Sequence, residues 1–282
     1  MQKYLTSRHG RRLSLAKPLV MGILNVTPDS FSDGGRFKSV REAVEAGLKM
    51  VAEGADIIDV GGESTGPGSK GVPLNEELKR VIPVIEKLRL KTDAWISVDT
   101  WRSQVAKYAV KAGADMVNDV TALRGDPEMA GTVAELGVPV VLMYSKDTGP
   151  RTTVKKKRYG DVVKEISAFL RQRVAYAKGN GIAEDKCIID PGMGAFISMD
   201  EKYSLRVLKG LPRFSVLGRP VLLGASRKSF IGNTLGLPVD ERLEGGLACA
   251  VVAVLGGATI IRAHDVKETR RAVDMTWAVM RA

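Results

Sequence analysis

Eight short apolar runs in this sequence each lead into residues able to do chemistry. In chain order these are Asn25; Glu63 with Ser64 and Thr65; Asp99; Asn118 with Asp119; Met143 with Tyr144; Asp190; Ser226 with Arg227 and Lys228; and Arg262 with His264. They divide by type. Asp99, Asn118 and Asp190 offer carboxylates and an amide, which suit the ring N–H and amino groups of a flat, nitrogen-rich heterocycle, a base or a pterin-like ring. Lys228, Arg262 and His264 are donors that match a phosphate or diphosphate. Asn25 offers an oxygen to Mg²⁺, an ion usually held by few protein groups together with waters and substrate phosphates. The implied substrate is a heterocycle bearing a phosphate or diphosphate. Other chemistries are not supported: His9 and His264 are the only histidines, which argues against zinc hydrolysis, and no Gly-x-Ser-x-Gly, Cys–His pair or GxGxxG after a strand supplies a nucleophile or dinucleotide site.

These residues meet only if the elements bearing them close into a ring. A length of 282 residues fits a single (β/α)₈ barrel, which needs about 250. Short β-branched runs alternate with segments of helical apolar spacing, the pattern of repeated βα units. Strands are predicted over 19–25, 56–60, 94–99, 115–119, 139–143, 187–190, 220–224 and 259–262. Helical stripes between them include Val44, Leu48 and Val51; Leu78, Val81, Ile82 and Ile85; Val163, Ile166, Leu170 and Val174; and Leu243, Leu247, Ala250 and Val254. Asn75 is the expected cap of the second, with Glu76 and Glu77 at its positive end. Gly54, Gly113 and Gly257 open Gly-Ala-x turns before strands and read as helix C-caps at the barrel's bottom, which leaves the chemistry to the top. No Pro-rich or Ser-rich linker divides the chain, so one domain over 1–282 is expected, with 1–17 as an N-terminal extension in which His9 need not be ordered.

The net charge of +11 fits a small anionic substrate better than nucleic acid. Its one dense run, Lys155-Lys156-Lys157-Arg158, has only Tyr159 as aromatic neighbour and reads as a solvated, mobile loop. No uncharged apolar run approaches 18 residues and no secretory signal opens the chain, so the expected setting is the cytoplasm without a membrane partner. Cys187 and Cys249 are too few for a disulfide framework or zinc site and are expected to be buried and inert.

From about Val20 to Arg270 the chain resembles the dihydropteroate synthases. The resemblance rests on seven segments in order: 21–35 (Met-Gly-Ile-Leu-Asn-Val-Thr-Pro-Asp-Ser-Phe-Ser-Asp-Gly-Gly), Gly61-Gly62-Glu63-Ser64-Thr65, Ser97-Val98-Asp99-Thr100, Asn118-Asp119, Asp190-Pro191-Gly192, Ser226-Arg227-Lys228-Ser229-Phe230-Ile231-Gly232 and Arg262-Ala263-His264-Asp265-Val266. It implies condensation of 6-hydroxymethyl-7,8-dihydropterin diphosphate with 4-aminobenzoate, releasing pyrophosphate. By the same resemblance Asp99, Asn118, Met143, Asp190 and Lys228 would hold the pterin. Asn25, Arg262 and His264 would hold diphosphate, with Mg²⁺ on Asn25, and these with Lys228 would carry the catalysis. Thr65, Pro67, Phe196, Ser226 and the loops 27–35 and 61–68, read as lids, would surround the aminobenzoate. A homodimer is implied as well, for which Trp277 and Met280 are apolar enough, although core packing explains them equally. The alternatives are a barrel methyltransferase passing a methyl group from a reduced pterin to a corrinoid protein, and a non-catalytic pterin-binding protein.

Three departures from the family pattern cluster in the second-substrate region. Gly66 stands where an arginine is usual, Tyr144-Ser145 replaces His-Met, and Gly194-Ala195-Phe196-Ile197-Ser198 replaces Gly-Phe-Gly-Lys. The last segment is similar to that of the acquired, sulfonamide-resistant dihydropteroate synthases. Reduced sulfonamide sensitivity, with Phe196 as the discriminating side chain, is the corresponding expectation.

Overall fold

The computed structural model describes residues 2–26 and 39–282. Ten strands and nine α-helices follow one another among them. A hairpin of β1 (Tyr4–Thr6) and β2 (Arg12–Ser14) precedes eight parallel strands: β3 (Leu19–Asn25), β4 (Ile57–Gly61), β5 (Trp95–Asp99), β6 (Met116–Asp119), β7 (Val140–Met143), β8 (Cys187–Asp190), β9 (Leu222–Leu223) and β10 (Ile260–Ala263). Their lateral order runs β8-β7-β6-β5-β4-β3-β10-β9. A parallel bridge between Ile189 and Val221, with Ile189 N–H donating to the Pro220 carbonyl, joins the two ends and closes the barrel. The expected (β/α)₈ barrel is therefore what the chain forms.

The helices α1 (Val40–Ala52), α2 (Leu74–Arg89), α3 (Ser103–Lys111), α4 (Met129–Leu136), α5 (Val162–Gly179), α6 (Glu201–Lys209), α7 (Ser229–Leu235), α8 (Leu243–Leu255) and α9 (Val266–Val279) form the outer ring. One apolar core lies between them and the sheet, and it takes in the predicted stripes except Leu243 and Leu247 of α8, which are only half-buried, with α2 burying Val84 and Leu88 besides Val81 and Ile85. Pro73, not Asn75, occupies the N-cap of α2. Asn75 lies within the first turn, and proline's preset φ opens the helix without a side-chain cap. Gly54, Gly113 and Gly257 do take positive φ at helix ends.

A second, smaller core fills the barrel itself. Met21, Ile57, Trp95, Met116, Val141, Ile188, Leu222 and Ile260 point inward from all eight strands, with Leu19 beside them, and Leu5 of the hairpin closes the floor. The segment expected as an extension is thus an ordered plug, although His9 at its turn is exposed. Side chains on a strand alternate faces, so whatever stands two residues beyond a floor residue also points inward, one layer higher. That parity places Asp59, Ser97, Asn118, Met143, Asp190 and Arg262 in the next layer, with Asn25 and Asp99 above it.

Cys187 is buried at the start of β8 and Cys249 is half-buried on α8. Burial pushes both thiols up to about 11, which keeps them protonated near neutrality. In the basic run Lys155, Lys156 and Arg158 are exposed, but Lys157 is held. Its ammonium donates to the Tyr144 hydroxyl at 3.0 Å and lies 4.6 Å from the Tyr159 ring centre. No described helix is long and apolar enough to cross a membrane.

Candidate active site

The polar layer above the floor is cross-linked by charge. Asp59, fully buried, accepts from Asn118 Nδ2 at 2.9 Å and from Arg262 Nε at 2.6 Å through its Oδ2 atom. Arg262 Nη2 donates to Asp99 Oδ2 at 2.7 Å. One guanidinium is thus shared by two carboxylates from neighbouring strands, whose register sets Asp99 opposite both Gly61 and Asn118. Across the mouth Met143 and Asp190 are register partners, and Asp190 Oδ1 accepts from the Gly192 N–H at 2.7 Å. Gly192 has φ +68, and a side chain there would run into the Tyr144 carbonyl, so the turn after β8 requires glycine.

The electrostatics follow from this crowding. Burial, reinforced by the neighbouring Asp59 charge, raises Asp99 to about 7 against the pull of Arg262. Asp190 is also raised, chiefly by burial, while Lys228 and the Gly192 N–H work in the opposite direction. Desolvation lowers Lys228 to about 8, with Asp190 opposing that loss of charge. Burial disfavours the Arg262 charge, yet Asp59 and Asp99 together raise its pKa above the ordinary value. Such carboxylates facing cations in a cleft are what a polar, charged substrate would use in place of water.

The seventh strand feeds a strained turn. Arg227 sits at φ +57, a left-handed conformation costing an ordinary residue of order 1 kcal/mol. Its guanidinium is gripped by the Asp265 carboxylate, with Nε to Oδ2 at 3.0 Å, and its carbonyl accepts from Arg242 Nη1 at 3.2 Å. These contacts fix Ser226 and Lys228 on either side. Ser226 Oγ lies 3.1 Å from His264 Nδ1 and accepts the His264 backbone N–H at 3.2 Å, which orients the imidazole. The Lys228 ammonium stands 5.3 Å from the centre of the Phe196 ring.

The residues singled out from sequence fall into two groups. Asn118, Asp190, Asp99, Met143, Arg262 and, at its rim end, Asn25 lie on inward-facing strand positions, Lys228 stands at the N-cap of α7 after β9, and Ser226 with His264 adjoins that ring. Thr65, Pro67 and Phe196 stand on loops: Phe196 is near Lys228, Thr65 is half-buried, and Pro67 is exposed at its loop tip. Of the two lid loops, 27–35 lies outside the described residues. Three strand-end residues turn elsewhere. Glu63 is buried beneath Arg151, Arg102 and Trp101 Nε1; Asp119 caps the Thr121 and Leu123 amides; and Tyr144 packs edge-on against Phe169.

Sequence reading passed over Asp59, although a carboxylate inside Ile57-Ile58-Asp59-Val60 is a signal, since a charge in a strand buried on both faces needs partners. It also passed over Glu77, taken as a helix-end charge. The side chain is fully buried, accepts from Thr100 Oγ1 at 2.7 Å and pairs with Arg102.

Comparison with known proteins decides the family. A model described as pterin binding enzyme matches residues 21–264. Dihydropteroate synthase of Escherichia coli (strain K12) is 45% identical over 273 residues, covering 97% of this chain and 95% of that protein. The chain belongs to the dihydropteroate synthases. Among solved structures, the Xanthomonas albilineans dihydropteroate synthase with 4-aminobenzoic acid superposes with a TM-score of 0.92 at 44% identity, each chain fully covered. The same organism's enzyme in complex with 7,8-dihydropteroate gives 0.88 at 43% identity, with 99% of both chains covered. As a dihydropteroate synthase the chain is a transferase of folate biosynthesis.

Proposed function

We propose that this enzyme condenses 6-hydroxymethyl-7,8-dihydropterin diphosphate with 4-aminobenzoate to give 7,8-dihydropteroate and pyrophosphate. The observation carrying the proposal is the inward ring of Asp99, Asn118 and Asp190 set beside Lys228 and Arg262. The acceptors match the pterin's amino and ring N–H donors, and the cations match its diphosphate. Asp99 and Asp59 hold Arg262 in place, so its guanidinium is already oriented for an anion.

Catalysis on this reading is dissociative. The bond from the pterin methylene carbon to the diphosphate oxygen breaks while Arg262 and His264 take up the negative charge of the leaving group. Lys228 and the acidic ring hold the heterocycle, over which the positive charge of the methylene spreads. The arylamine nitrogen then forms the new C–N bond and gives up a proton to solvent or to the departing pyrophosphate. Asn25, Lys228, Arg262 and His264 accordingly act by positioning and electrostatics, with no covalent enzyme intermediate. Mg²⁺ suits the donor set: no group of three or more His, Cys, Asp or Glu among the described residues could cage an ion, and Asn25 would supply a single amide oxygen beside substrate phosphates and water. When bound, it would neutralise diphosphate charge.

Thr65, Pro67, Phe196 and Ser226 would line the arylamine, with Phe196 placed to obstruct a sulfonamide where its bulk exceeds that of a carboxylate. The exposed apolar Met275, Val279 and Met280 on and just after α9 support a homodimer, which sedimentation velocity would report as a species of twice the chain mass. The function is tested by pyrophosphate release from the purified enzyme supplied with both substrates and Mg²⁺, with and without sulfamethoxazole. Turnover that persists in the drug is expected. Turnover abolished at drug concentrations that inhibit ordinary synthases removes the Phe196 reading, and none at all removes the condensation.

A further inference from the structure

The segment carrying Phe196 does not stand by itself; the loop after β7 holds it, carbonyl by carbonyl. Lys146 N–H donates to the Phe196 carbonyl at 2.8 Å, and Lys146 Nζ donates to the Ala195 carbonyl at 2.6 Å, so one residue grips both peptide oxygens flanking the Phe196 ring. Tyr159 OH donates to the Ile197 carbonyl at 2.7 Å, and Ser198 Oγ donates to the Lys157 carbonyl at 2.9 Å.

Lys146 is an unusual residue for such a task. Its side chain is only 3% exposed, and its ammonium lies within 2.9 Å of four oxygens: Ala195 O, Thr153 O, Thr152 Oγ1 and Asp147 Oδ2. A buried ammonium persists only with partners of this number and charge. Asp147 is held down to about 2 by Lys146 and by the Thr152 and Thr153 donors, against the cost of burial. Thr152, itself buried, has Oγ1 2.9 Å from the Ala195 carbonyl, while its N–H donates to the Thr65 carbonyl at 3.1 Å. Its neighbour Arg151 pairs with buried Glu63. Lys146 and Thr152 therefore join the Thr65 loop to the Phe196 segment.

We propose that Lys146 and Thr152 are positioning residues for arylamine selection, clamping the Ala195–Phe196 backbone against the Thr65 loop so that the Phe196 ring stands at one fixed place. The inference rests on the reading of Phe196 as an arylamine-facing side chain. It adds that selectivity resides in the loop after β7, which acts through the backbone on either side of the Phe196 ring. Phe196 on a loose segment could swing aside for a bulkier amine analogue, whereas a clamped one cannot, because the Lys146 ammonium and the Thr152 hydroxyl fix the peptide before it and the Lys146 backbone N–H fixes the one after it.

The test is a double-mutant cycle read as the ratio of the sulfamethoxazole Ki to the 4-aminobenzoate KM, with pterin diphosphate KM and melting temperature measured alongside. Thr152→Val removes the hydroxyl at nearly constant volume and is expected to lower the ratio about tenfold, with pterin diphosphate KM within twofold of the parent. Thr152→Ser keeps the hydroxyl and is expected to restore the parent ratio, an effect a purely space-filling role would not give. Phe196→Ala is expected to lower the ratio by itself, and adding Thr152→Val is expected to change it no further, since both act through one ring. A lowered ratio in Phe196→Ala but not in Thr152→Val overturns the clamp and leaves Phe196 its role. An unchanged ratio in Phe196→Ala overturns both. Lys146→Met, which empties the other half of the grip, provides a second variant should Thr152→Val fold poorly, with the same direction expected.

Discussion

The mouth of the barrel and its rim are built differently. In the mouth Asp99, Asn118, Met143, Asp190 and Arg262 project from strands, Asp99 opposite Asn118, Met143 opposite Asp190, Arg262 between Asp59 and Asp99, and Lys228 joins them from the turn before α7. At the rim Thr65 and Phe196 sit on loops, and what fixes them is a set of hydrogen bonds from a third loop. A site on strands cannot be re-aimed without disturbing the sheet, while a loop site can be re-cut by changing a few residues. The three departures from the family pattern, at Gly66, Tyr144-Ser145 and 194–198, all fall on loops or at a strand's very end, and the ring of inward carboxylates is left intact.

The largest effect that would sharpen this contrast is expected at Lys228. Lys228→Met removes the cation that works against the burial-raised pKa of Asp190 and, on the proposed reading, a charged donor to the substrate, and a hydrogen bond to a charged group is worth about 1.5–3 kcal/mol. kcat/KM for pterin diphosphate should fall about 100-fold, while the ratio of sulfamethoxazole Ki to 4-aminobenzoate KM stays within threefold. Steady-state kinetics with each substrate varied in turn would show a mixed loss if mouth and rim were a single unit.

A smaller loss is expected from Asp59→Asn, which removes one of the two carboxylates on Arg262 and turns a charge-assisted acceptor for Asn118 into a neutral one. Such bonds are worth about 1.5–3 kcal/mol, so a decrease of about 30-fold in kcat/KM with a melting temperature several degrees lower should follow. Full activity in this variant would remove Asp59 from the account.

The pH dependence is gentler. Asp99 must be ionised and Lys228 protonated for their contacts, so kcat/KM for pterin diphosphate should rise through about pH 7 and fall through about pH 8. Stability carries the same signatures with definite signs. The folded state raises Asp99 above its ordinary 3.8 and binds more protons between there and about 7, so stability falls as pH rises across that window. It lowers Lys228 from 10.5 to about 8 and binds fewer protons between those values, so stability climbs as pH rises across that higher window. Asp99→Asn should flatten the lower limb of both the melting-temperature and the kinetic curves.

Mouth and rim also differ in how far they could be read from the sequence. Parity on short apolar strands carries directly to space, so Asn25, Asp99, Asn118, Asp190 and Arg262 could be set around one axis from spacing alone. Asp59 is less legible because it does not end its strand: β4 continues to Gly61, and its inward carboxylate lies two residues earlier. Lys146, Arg151 and Thr152 left no periodic trace. Their roles depend on where a long irregular connection lies against two others, which local sequence does not encode. For the same reason Leu5 reads from sequence only as part of an N-terminal extension, although it completes the floor of the barrel.

The most direct measurement sets Asp190→Asn beside Phe196→Ala and determines, for both, the pterin diphosphate KM and the ratio of sulfamethoxazole Ki to 4-aminobenzoate KM. Separate construction of mouth and rim predicts a crossed result. Asp190→Asn should raise the pterin diphosphate KM at least tenfold and leave the ratio in place, and Phe196→Ala should lower the ratio about tenfold and leave the pterin KM in place. If each variant shifted both quantities to a similar extent, the two halves would be one cooperative site and the account would be wrong.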